Sequence, residues 1–510
     1  MRRTLLTPLL ALSAAGCPTW PEPPAVEVPE HVLQEAGDEE TLEPCVSVDW
    51  NGDFDWPPDN PELCSGDYDV RIRGDLTVRS NTESLAGLSC VCEVEGDVAL
   101  DTLYALNDLS GLENLQIVGG DLRVSTNWEL TSLDGLDSLH TISGELLVDA
   151  NPYLHDFMGL RRLERIGEVQ ITNNNQLLTL AGLSDVALID GRVTIAHNPQ
   201  LINLSGLDTL REVGGDIVIY DNASLMTIGG LNALEQVGGL EISYNTNLIR
   251  FDGLKSLREV WGGIILRNNS SLEASTMPAL ERIGGELSIQ NNLGPIVSPS
   301  LDALTTIGTA LVIRDNRAMR FVAGMDNLTA VADVQIISNS ALESVEGLRG
   351  ITALSSLSLL ENNAMTTLDG FDALTEVTGH LLIGGEQLSA VAPLAQLASV
   401  GTLSVSKTAL PDMLWMPSLA AVVGSLSIYE NNALRSVDGL EQLEEVSQIL
   451  TLSQNLVLHD LQGLHGLDRI GWDLHITDNP ALSLAEIDAL LDAIDEADIS
   501  GEIVITNNGG

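Results

Sequence analysis

Lysine is almost absent from this sequence of 510 residues. Only Lys255 and Lys407 occur, and 23 basic residues stand against 73 acidic ones, which gives a formal net charge of −50 at neutral pH. Nucleic acid is a poor partner for such a chain, because a phosphate backbone is bound by clustered lysine and arginine. The acidic residues are spread along the chain without a long run, so we expect a solvated acidic surface.

Catalytic signatures are also missing. The sequence contains no G-x-S-x-G, H-E-x-x-H or P-loop pattern, and no G-x-G-x-x-G between a strand and a helix, so we expect no enzyme. The enzymatic alternative is a parallel β-helix that acts on polysaccharide, which needs two carboxylates roughly 5–10 Å apart. Asp221 and Asp315 lie four repeats apart, about 19 Å at one strand spacing per repeat, and do not form such a pair.

An aliphatic-x-x-Asn pattern returns every 23 or 24 residues and predicts a solenoid, because repeats of this length stack one supersecondary unit on the next. The unit that begins at Asn198 shows the spacing, with leucines three residues apart followed by an alternating strand: Asn198, Leu201, Leu204, Gly206, Leu207, Leu210, Val213, Gly215, Ile217 and Ile219. We expect a mainly β fold, a right-handed parallel β-helix of about 19 rungs, where a rung is one turn of the solenoid. The predicted asparagine series is Asn127, Asn151, Asn174, Asn198, Asn222, Asn245, Asn269, Asn292, Asn316, Asn339, Asn363, Asn431, Asn455 and Asn479, with Glu386 and Thr408 in two further places. We expect each asparagine amide to bond turn backbone and to stack on its counterparts in the neighbouring rungs.

This repeat resembles the receptor L-domain, from about Gly74 to Leu482. The units "NPQLINLSGLDTLREVGGDIVIYDN" and "NALRSVDGLEQLEEVSQILTLSQN" carry the resemblance. Ordinary leucine-rich repeats are the near alternative, but they place leucine at N-x-L, whereas here it falls at N-x-x-L. The resemblance implies a right-handed β-helix that recognises ligands on its faces. Receptor L-domains have only a handful of rungs, and no ligand residue carries over to this longer chain.

The first residues predict export. Arg2 and Arg3 precede an apolar stretch, and Ala14-Ala15-Gly16 stands directly before Cys17, an order that resembles a bacterial lipoprotein signal with Cys17 as the lipidated residue. An ordinary signal with an incidental cysteine is the alternative. No other stretch is long and apolar enough to span a membrane, so we expect anchoring by lipid alone, at the bacterial outer membrane, on its surface or periplasmic face.

The expected organisation has five parts. Residues 1–16 form the signal, 17–44 a Pro/Glu-rich tether, 45–101 a disulfide-stapled cap with the first rungs, 102–482 the solenoid, and 483–510 a helix cap with a last strand. The four cysteines of the cap predict two disulfides of open connectivity: Cys45, Cys64, Cys90 and Cys92. At the other end, Ser483 and Glu486 form a capping-box pattern before an apolar helical face that contains Leu484, Ile487, Leu490, Leu491 and Ile494.

Two sets of residues are candidate sites. Alternating oxygen ligands suggest calcium at Asp49, Asn51, Asp53 and Asp55, although the EF-hand pattern fails; no other cofactor is expected. Equivalent places in successive rungs put His197, Asp221 and Tyr244 in one column and Arg267, Gln290 and Arg314 in another beside it, with the arginines available to an anionic partner. The functional hypothesis is a non-enzymatic envelope protein that binds a protein or glycan at the cell surface; an envelope spacer without a ligand is the alternative.

Overall fold

The computed structural model describes residues 45, 47–57, 63–64, 66, 68–294, 297–390, 394–494 and 498–509, without the side chains of 274, 275 and 297–299. These residues belong to a unit that spans Glu43–Gly510. They form a parallel β-solenoid with 20 principal strands, one to a rung, and one α-helix near its carboxyl end. The predicted mainly β fold and the carboxyl-terminal helix are therefore confirmed, at close to the expected number of rungs.

Each rung contributes one principal strand that pairs in register with those of the rungs before and after. Val193 aligns with Ile217, for example, and Ile217 with Leu240. The principal strands are Phe54–Trp56, Leu76–Val78, Val98–Asp101, Leu122–Ser125, Thr141–Asp149, Arg165–Thr172, Val193–Ala196, Ile217–Tyr220, Leu240–Ser243, Ile264–Arg267, Leu287–Gln290, Ala310–Arg314, Asp333–Ile337, Ser356–Leu360, Glu376–Gly384, Ser399–Ser406, Leu426–Tyr429, Leu450–Ser453, Leu474–Thr477 and Ile503–Thr506.

A second parallel ladder runs beside the first and is built from shorter strands. These are Ser47–Trp50, Asp69–Ile72, Val91–Val94, Ile117–Val118, Leu188–Ile189, Glu212–Val213, Gln236–Val237, Glu259–Val260, Arg282–Ile283, Thr306–Ile307, Ala353–Leu354, Ala421–Val422, Glu445–Val446 and Arg469–Ile470. A separate small sheet contains Arg250–Phe251, Ala274–Thr276 and Val297–Ser300. The helical segments are the 3-10 turns Ala86–Leu88, Met158–Leu160, Glu346–Leu348 and Gln462–Leu464 and the α-helix Leu484–Ile494.

The core is a set of aliphatic columns. In the rung that begins at Asn198, the apolar positions of the repeat are almost completely removed from solvent, at 0–2% exposure: Leu201, Leu204, Leu207, Leu210, Val213, Ile217 and Ile219. Burial of each such side chain stabilises the fold by roughly 1.5–3 kcal/mol before the entropy of ordering is subtracted. Because every rung repeats these positions, each side chain packs against its counterparts in the neighbouring rungs.

Glycine is required at a corner of the rung. Gly206 adopts a φ of +115°, and a Cβ there would lie 2.1 Å from the carbonyl oxygen of Leu180 in the preceding rung. At Gly215, which precedes the principal strand, an added Cβ would lie 2.8 Å from the backbone of Gly191. Rungs separated by one strand spacing leave no room for a side chain at these points, so the glycines permit the stacking itself.

The repeat asparagine forms a buried ladder. The N–H of Asn198 donates to Oδ1 of Asn222 at 3.0 Å, and Nδ2 of Asn198 donates to the carbonyl of Ile171 at 2.9 Å. Asn222 repeats both contacts one rung further on, with Asn245 and Ile195. Each amide therefore ties its rung to the rungs before and after while it is fully buried. The predicted stacking of the asparagines, with bonds to backbone, is confirmed.

Two members of the predicted series were misplaced by one residue. Asn362, not Asn363, accepts the N–H of Asn339 at 3.0 Å. In the next rung Glu386 is exposed, and the buried place is taken by Gly385, whose carbonyl accepts the N–H of Leu388. The error arose because rungs of 23 and 24 residues alternate irregularly and an Asn-Asn pair fits either length. Thr408 does occupy its predicted place, and Asn508 extends the ladder beyond Asn479.

The two ends are closed differently. Cys45 is bonded to Cys92 and Cys64 to Cys90, with Cα–Cα distances of 5.9 and 5.4 Å, so the first rungs carry the two disulfides that were predicted. At the other end, Ser483 Oγ accepts the N–H of Glu486 at 3.2 Å, but the Glu486 carboxylate accepts from the N–H of Leu461 and not from Ser483. The capping box is therefore half formed. Leu484 is exposed, so the buried helical face is narrower than predicted.

Candidate functional site

Two columns of side chains run along the edge at which the principal strands end. The strand-end column is formed by the last residue of each strand, and it includes Ala196, Tyr220, Ser243, Arg267, Gln290 and Arg314. The left-handed column is formed by the next residue of each rung, and it includes His197, Asp221, Tyr244, Asn268, Asn291 and Asp315. The structure thus places the six predicted residues in two adjacent columns.

The left-handed column owes its position to the asparagine ladder. Its residues have φ values between 51° and 60°, a conformation that non-glycine residues seldom adopt, and each directly precedes a ladder position. The backbone makes this turn so that the following asparagine side chain enters the interior. The residue before it is therefore pushed outward, and its side chain is displayed to solvent. Asparagine tolerates this conformation well, which explains Asn173, Asn268 and Asn291 at this place.

Aromatic and titratable side chains meet on three consecutive rungs of this edge. The rings of His197 and Tyr220 lie 5.2 Å apart in an edge-to-face arrangement, and the rings of Tyr220 and Tyr244 lie 5.1 Å apart. Nδ1 of His197 lies 3.0 Å from Oδ2 of Asp221. We call these four residues the His–Tyr cluster. It presents two phenols, an imidazole and a carboxylate together with aromatic surface.

The cluster is open to solvent. The side chains of His197 and Asp221 are 46% and 51% exposed, and Tyr244 is 42% exposed. Contacts between exposed groups of this kind contribute little to stability, so the cluster adds little to the stability of the folded protein. Tyrosine is among the residues that most often supply binding energy at interfaces, because its ring covers a large area and its hydroxyl can form a hydrogen bond. The cluster therefore offers hydrogen-bond donors and acceptors beside aromatic surface.

Tyr220 was missed in the sequence, although it joins His197 to Tyr244. A signal was present, because Tyr220 directly precedes Asp221 just as Ala196 precedes His197. Consecutive residues at a strand end occupy adjacent columns, so any exposed column implies a second one beside it. The rings of Tyr220 and Tyr244 approach only because the backbone turns to positive φ between the two columns.

The arginine column is engaged within the solenoid. Nη2 of Arg267 lies 2.7 Å from Oε1 of Glu241, and Nη2 of Arg314 donates to Oε1 of Gln335. Gln290 donates from Nε2 to the hydroxyl of Ser288 at 2.7 Å. Nε of Arg314 is buried and makes no hydrogen bond within the described part of the chain. Binding of an anionic partner by the two guanidiniums stays a prediction. The carboxylate beside Arg267 in particular offsets its charge.

Three of the four calcium candidates, Asp49, Asp53 and Asp55, have separate partners. Asp49 pairs with Arg73 at 2.7 Å and Asp55 with Arg79 at 3.1 Å, while Asn51 is exposed. Among the described residues, no group of three or more His, Cys, Asp or Glu side chains is placed to hold a metal ion. The structure thus does not bring these residues together as a cation site.

Asp53 begins a second ladder, made of carboxylates. Its Oδ1 accepts the N–H of Asp75, Asp75 accepts that of Asp97, Asp97 that of Asp121, and Asp121 that of Glu145, over distances of 2.8–3.1 Å. These bonds give the aspartates a structural role at the corner before each strand. Partial burial raises the pKa of Glu145, and the nearby carboxylates of Glu168 and Asp121 raise it further.

Cys17 and the predicted signal lie outside the described residues. Within the part of the chain that the structure describes, no helix combines the length and the apolar character needed to cross a membrane.

Comparisons with known proteins add little to this geometry. No protein-family model matches the sequence, and no curated protein matches it either. Solved structures with similar chains include the TLR13-ssRNA13 complex, at 13% identity over 86% of this chain and 88% of that chain, with a TM-score of 0.24. They also include an LRR protein of Leptospira interrogans, at 14% identity over 78% of this chain and 93% of that chain, with a TM-score of 0.22. At these scores neither similarity bears on function.

Proposed function

We propose that this protein is a non-enzymatic binding protein, whose solenoid recognises a protein or glycan through the edge at which its strands end. The His–Tyr cluster is the observation that carries the proposal. In a chain with 4% aromatic residues, three rings and a carboxylate are gathered on three rungs and left open to solvent. A cluster that stabilises the fold so little is better explained by a partner that covers it.

Rung stacking supports recognition of an extended partner. Equivalent side chains repeat about every 4.8 Å along a parallel sheet, so a binding edge is a regular array on a rigid support. The chain carries a net charge of −50, and this favours a neutral or basic partner over an anionic one. Arg267 and Arg314 remain a second, anion-binding candidate on the same edge, although Arg267 is already paired with Glu241.

Two disulfides support export, because such bonds persist in oxidising compartments and are rare in the cytosol. We further propose that Cys17 carries the lipid and that the chain is held at the outer membrane of a bacterium by that anchor alone. Cys17→Ala should leave the protein in the soluble fraction or block its maturation. Retention of the processed Cys17→Ala protein in the membrane would contradict lipid anchoring.

The binding proposal is tested by variants that remove the rings of His197 and Tyr244 and keep the backbone conformation. Asparagine is native to the left-handed column, so the double variant His197→Asn and Tyr244→Asn should fold normally. Asp315→Asn, in the same column, is the matched control. Saturable capture of the envelope partner is measured on intact cells that display the full chain. Cells with the double variant should lose this capture, and cells with the control variant should keep it.

A spacer without a ligand predicts a different result. In that case no partner is captured saturably by the parent protein, and the double variant and the control behave identically. A polysaccharide-active enzyme would instead release soluble sugar from an envelope polysaccharide, which a reducing-end assay detects.

A further inference from the structure

A polar groove lies along the left-handed column near the carboxyl end, three to seven rungs beyond Arg314, the last residue of the predicted columns. Its volume is about 1070 Å³. The walls come from five successive rungs: Glu386, Gln387, Lys407, Thr408, Ala409, Glu430, Asn432, Ala433, Gln454, Leu456 and Asp478. Pockets for small molecules commonly occupy about 300–1,000 Å³, so this groove is large enough for a ligand of several units.

The groove opens where the ladder is interrupted. In the rung of residues 376–390, all of which are described, no residue adopts positive φ, and Gly384 leads directly to the buried Gly385. This rung therefore lacks the outward residue that every neighbouring rung displays. A Cβ on Gly385 would meet nothing closer than the carbonyl oxygen of Asn362 at 3.8 Å. Because the left-handed column lacks a side chain in this rung, a depression remains beside Lys407. This depression forms one end of the groove.

The lining mixes charges with amides. Lys407 Nζ lies 3.6 Å from Glu430 Oε2, and Asp478 accepts a hydrogen bond from Asn507 at 2.9 Å. By contrast, Glu386, Gln387, Asn432 and Gln454 make no side-chain hydrogen bond to another described residue. The groove thus offers a carboxylate acceptor and three amides that both donate and accept. Ala409, Ala433 and half-exposed Leu456 add apolar surface between them.

We infer that this groove binds a neutral oligosaccharide. Vicinal hydroxyls donate to carboxylates and accept from amide and ammonium groups, so every polar wall group finds a partner, while the sugar C–H faces contact the alanines and Leu456. An anionic ligand meets three carboxylates against one ammonium group. A cationic ligand leaves the amide donors without acceptors. The site lies on rungs other than those of the His–Tyr cluster, so it is independent of the proposed function.

The fold itself supplies a variant that fills the groove. Asn432 directly follows the ladder residue Asn431, and Trp128 occupies the equivalent place after Asn127, where it is 57% exposed. Tryptophan is therefore tolerated at this position of a rung. Asn432→Trp should obstruct the groove without disturbing the core. Asn175→Trp places the same side chain at the same position of a rung outside the groove and serves as the control.

Binding is measured by titration calorimetry on the full chain in detergent. The probes are cellotetraose, maltotetraose, laminaritetraose and chitotetraose, with a galacturonic acid tetramer as the anionic probe and spermine as the cationic one. We expect saturable binding of a neutral tetrasaccharide, weakened at least about tenfold, or roughly 1.4 kcal/mol, by Asn432→Trp and unchanged by Asn175→Trp.

Three outcomes overturn the inference. The first is no saturable binding by any neutral probe, and the second is binding of spermine or the galacturonic acid tetramer in preference to all of them. The third is equal loss, or equal retention, of sugar binding in the two tryptophan variants, which would place the sugar elsewhere on the protein. Loss of capture through the His–Tyr cluster leaves these results unaffected, so the two proposals fail separately.

Discussion

Asparagine occupies the buried ladder position in the rungs of Asn127–Asn362, whereas Gly385 and Thr408 occupy it in the two rungs that follow. The side chains displayed on the edge differ between the two regions as well. In the first region each ladder asparagine accepts an N–H from the preceding rung and donates to a strand carbonyl, as Asn222 does with Asn198 and Ile195. Gly385 has no side chain with which to do either. Thr408 keeps part of the pattern, since its N–H and its hydroxyl both donate to Oδ1 of Asn431, at 3.0 and 2.8 Å.

The residue at the buried ladder position therefore also determines which side chains are exposed on the edge. Where asparagine, or threonine at 408, occupies the ladder, the residue before it takes a left-handed conformation and is directed outward, which builds the column that contains the His–Tyr cluster. Where glycine replaces asparagine, the outward residue is lost and a groove begins. Interior hydrogen bonding and the set of side chains displayed on the edge are thus two consequences of one position in the repeat.

Deletion of part of a rung is expected to have the largest effect. Removal of residues 198–221 joins His197 to Asn222, keeps every ladder in phase and should give a folded solenoid shorter by one rung. Removal of residues 198–209 alone shifts each later strand against its neighbour and should cause aggregation. Circular dichroism and solubility distinguish the two, and equal tolerance of both deletions would contradict the stacking.

Loss of one ladder asparagine should be the largest effect of a point substitution. Asn222→Ala removes the acceptor of the Asn198 N–H and the donor to Ile195, and both groups then remain buried and unsatisfied. Each such group costs about 1–3 kcal/mol, so we expect a loss of roughly 2–6 kcal/mol in the free energy of unfolding by urea. Asn175→Ala, at an exposed site, should change it by less than about 0.5 kcal/mol. Similar values for both would remove the energetic basis of the comparison.

A smaller loss is expected where the ladder is already weakened. Thr408→Val keeps the shape of the side chain but removes the hydroxyl that donates to Asn431 Oδ1. That acceptor retains the N–H of residue 408, so the cost should be about 1 kcal/mol in the same urea experiment. A loss as large as that of Asn222→Ala would show that the interrupted rungs depend on side-chain bonding as much as the intact ones.

Restoration of the ladder should give the smallest effect, and a favourable one. Gly385→Asn adds a side chain where no described atom lies closer than 3.8 Å to the new Cβ, and it supplies an acceptor toward the N–H of Asn362. The substitution also reduces the freedom of the unfolded chain, so we expect a gain of up to about 1 kcal/mol. A clear destabilisation would mean that the glycine is needed for the backbone of this rung and not merely tolerated there.

The candidate site could be predicted from the sequence where the spacing of the repeat is constant. A constant spacing placed His197, Asp221 and Tyr244 in one column, because residues at equal positions of stacked rungs must align. The contacts of Arg267 and Arg314 could not be predicted in the same way, since long flexible side chains choose among several neighbours on adjacent rungs. The glycine at 385 was also hidden, because Asn362 and Asn363 fit the alternating spacing equally well.

The sequence by itself determined the parallel solenoid, its aliphatic columns, the stacked asparagines and the closure of the two ends, since each follows from a short-range pattern repeated many times. The tertiary structure decided how Cys45, Cys64, Cys90 and Cys92 pair, that Tyr220 joins His197 to Tyr244, and that a groove opens beside Lys407. These features arise between residues one or more rungs apart, where the exact register of stacked chains, and not local spacing, decides which atoms meet.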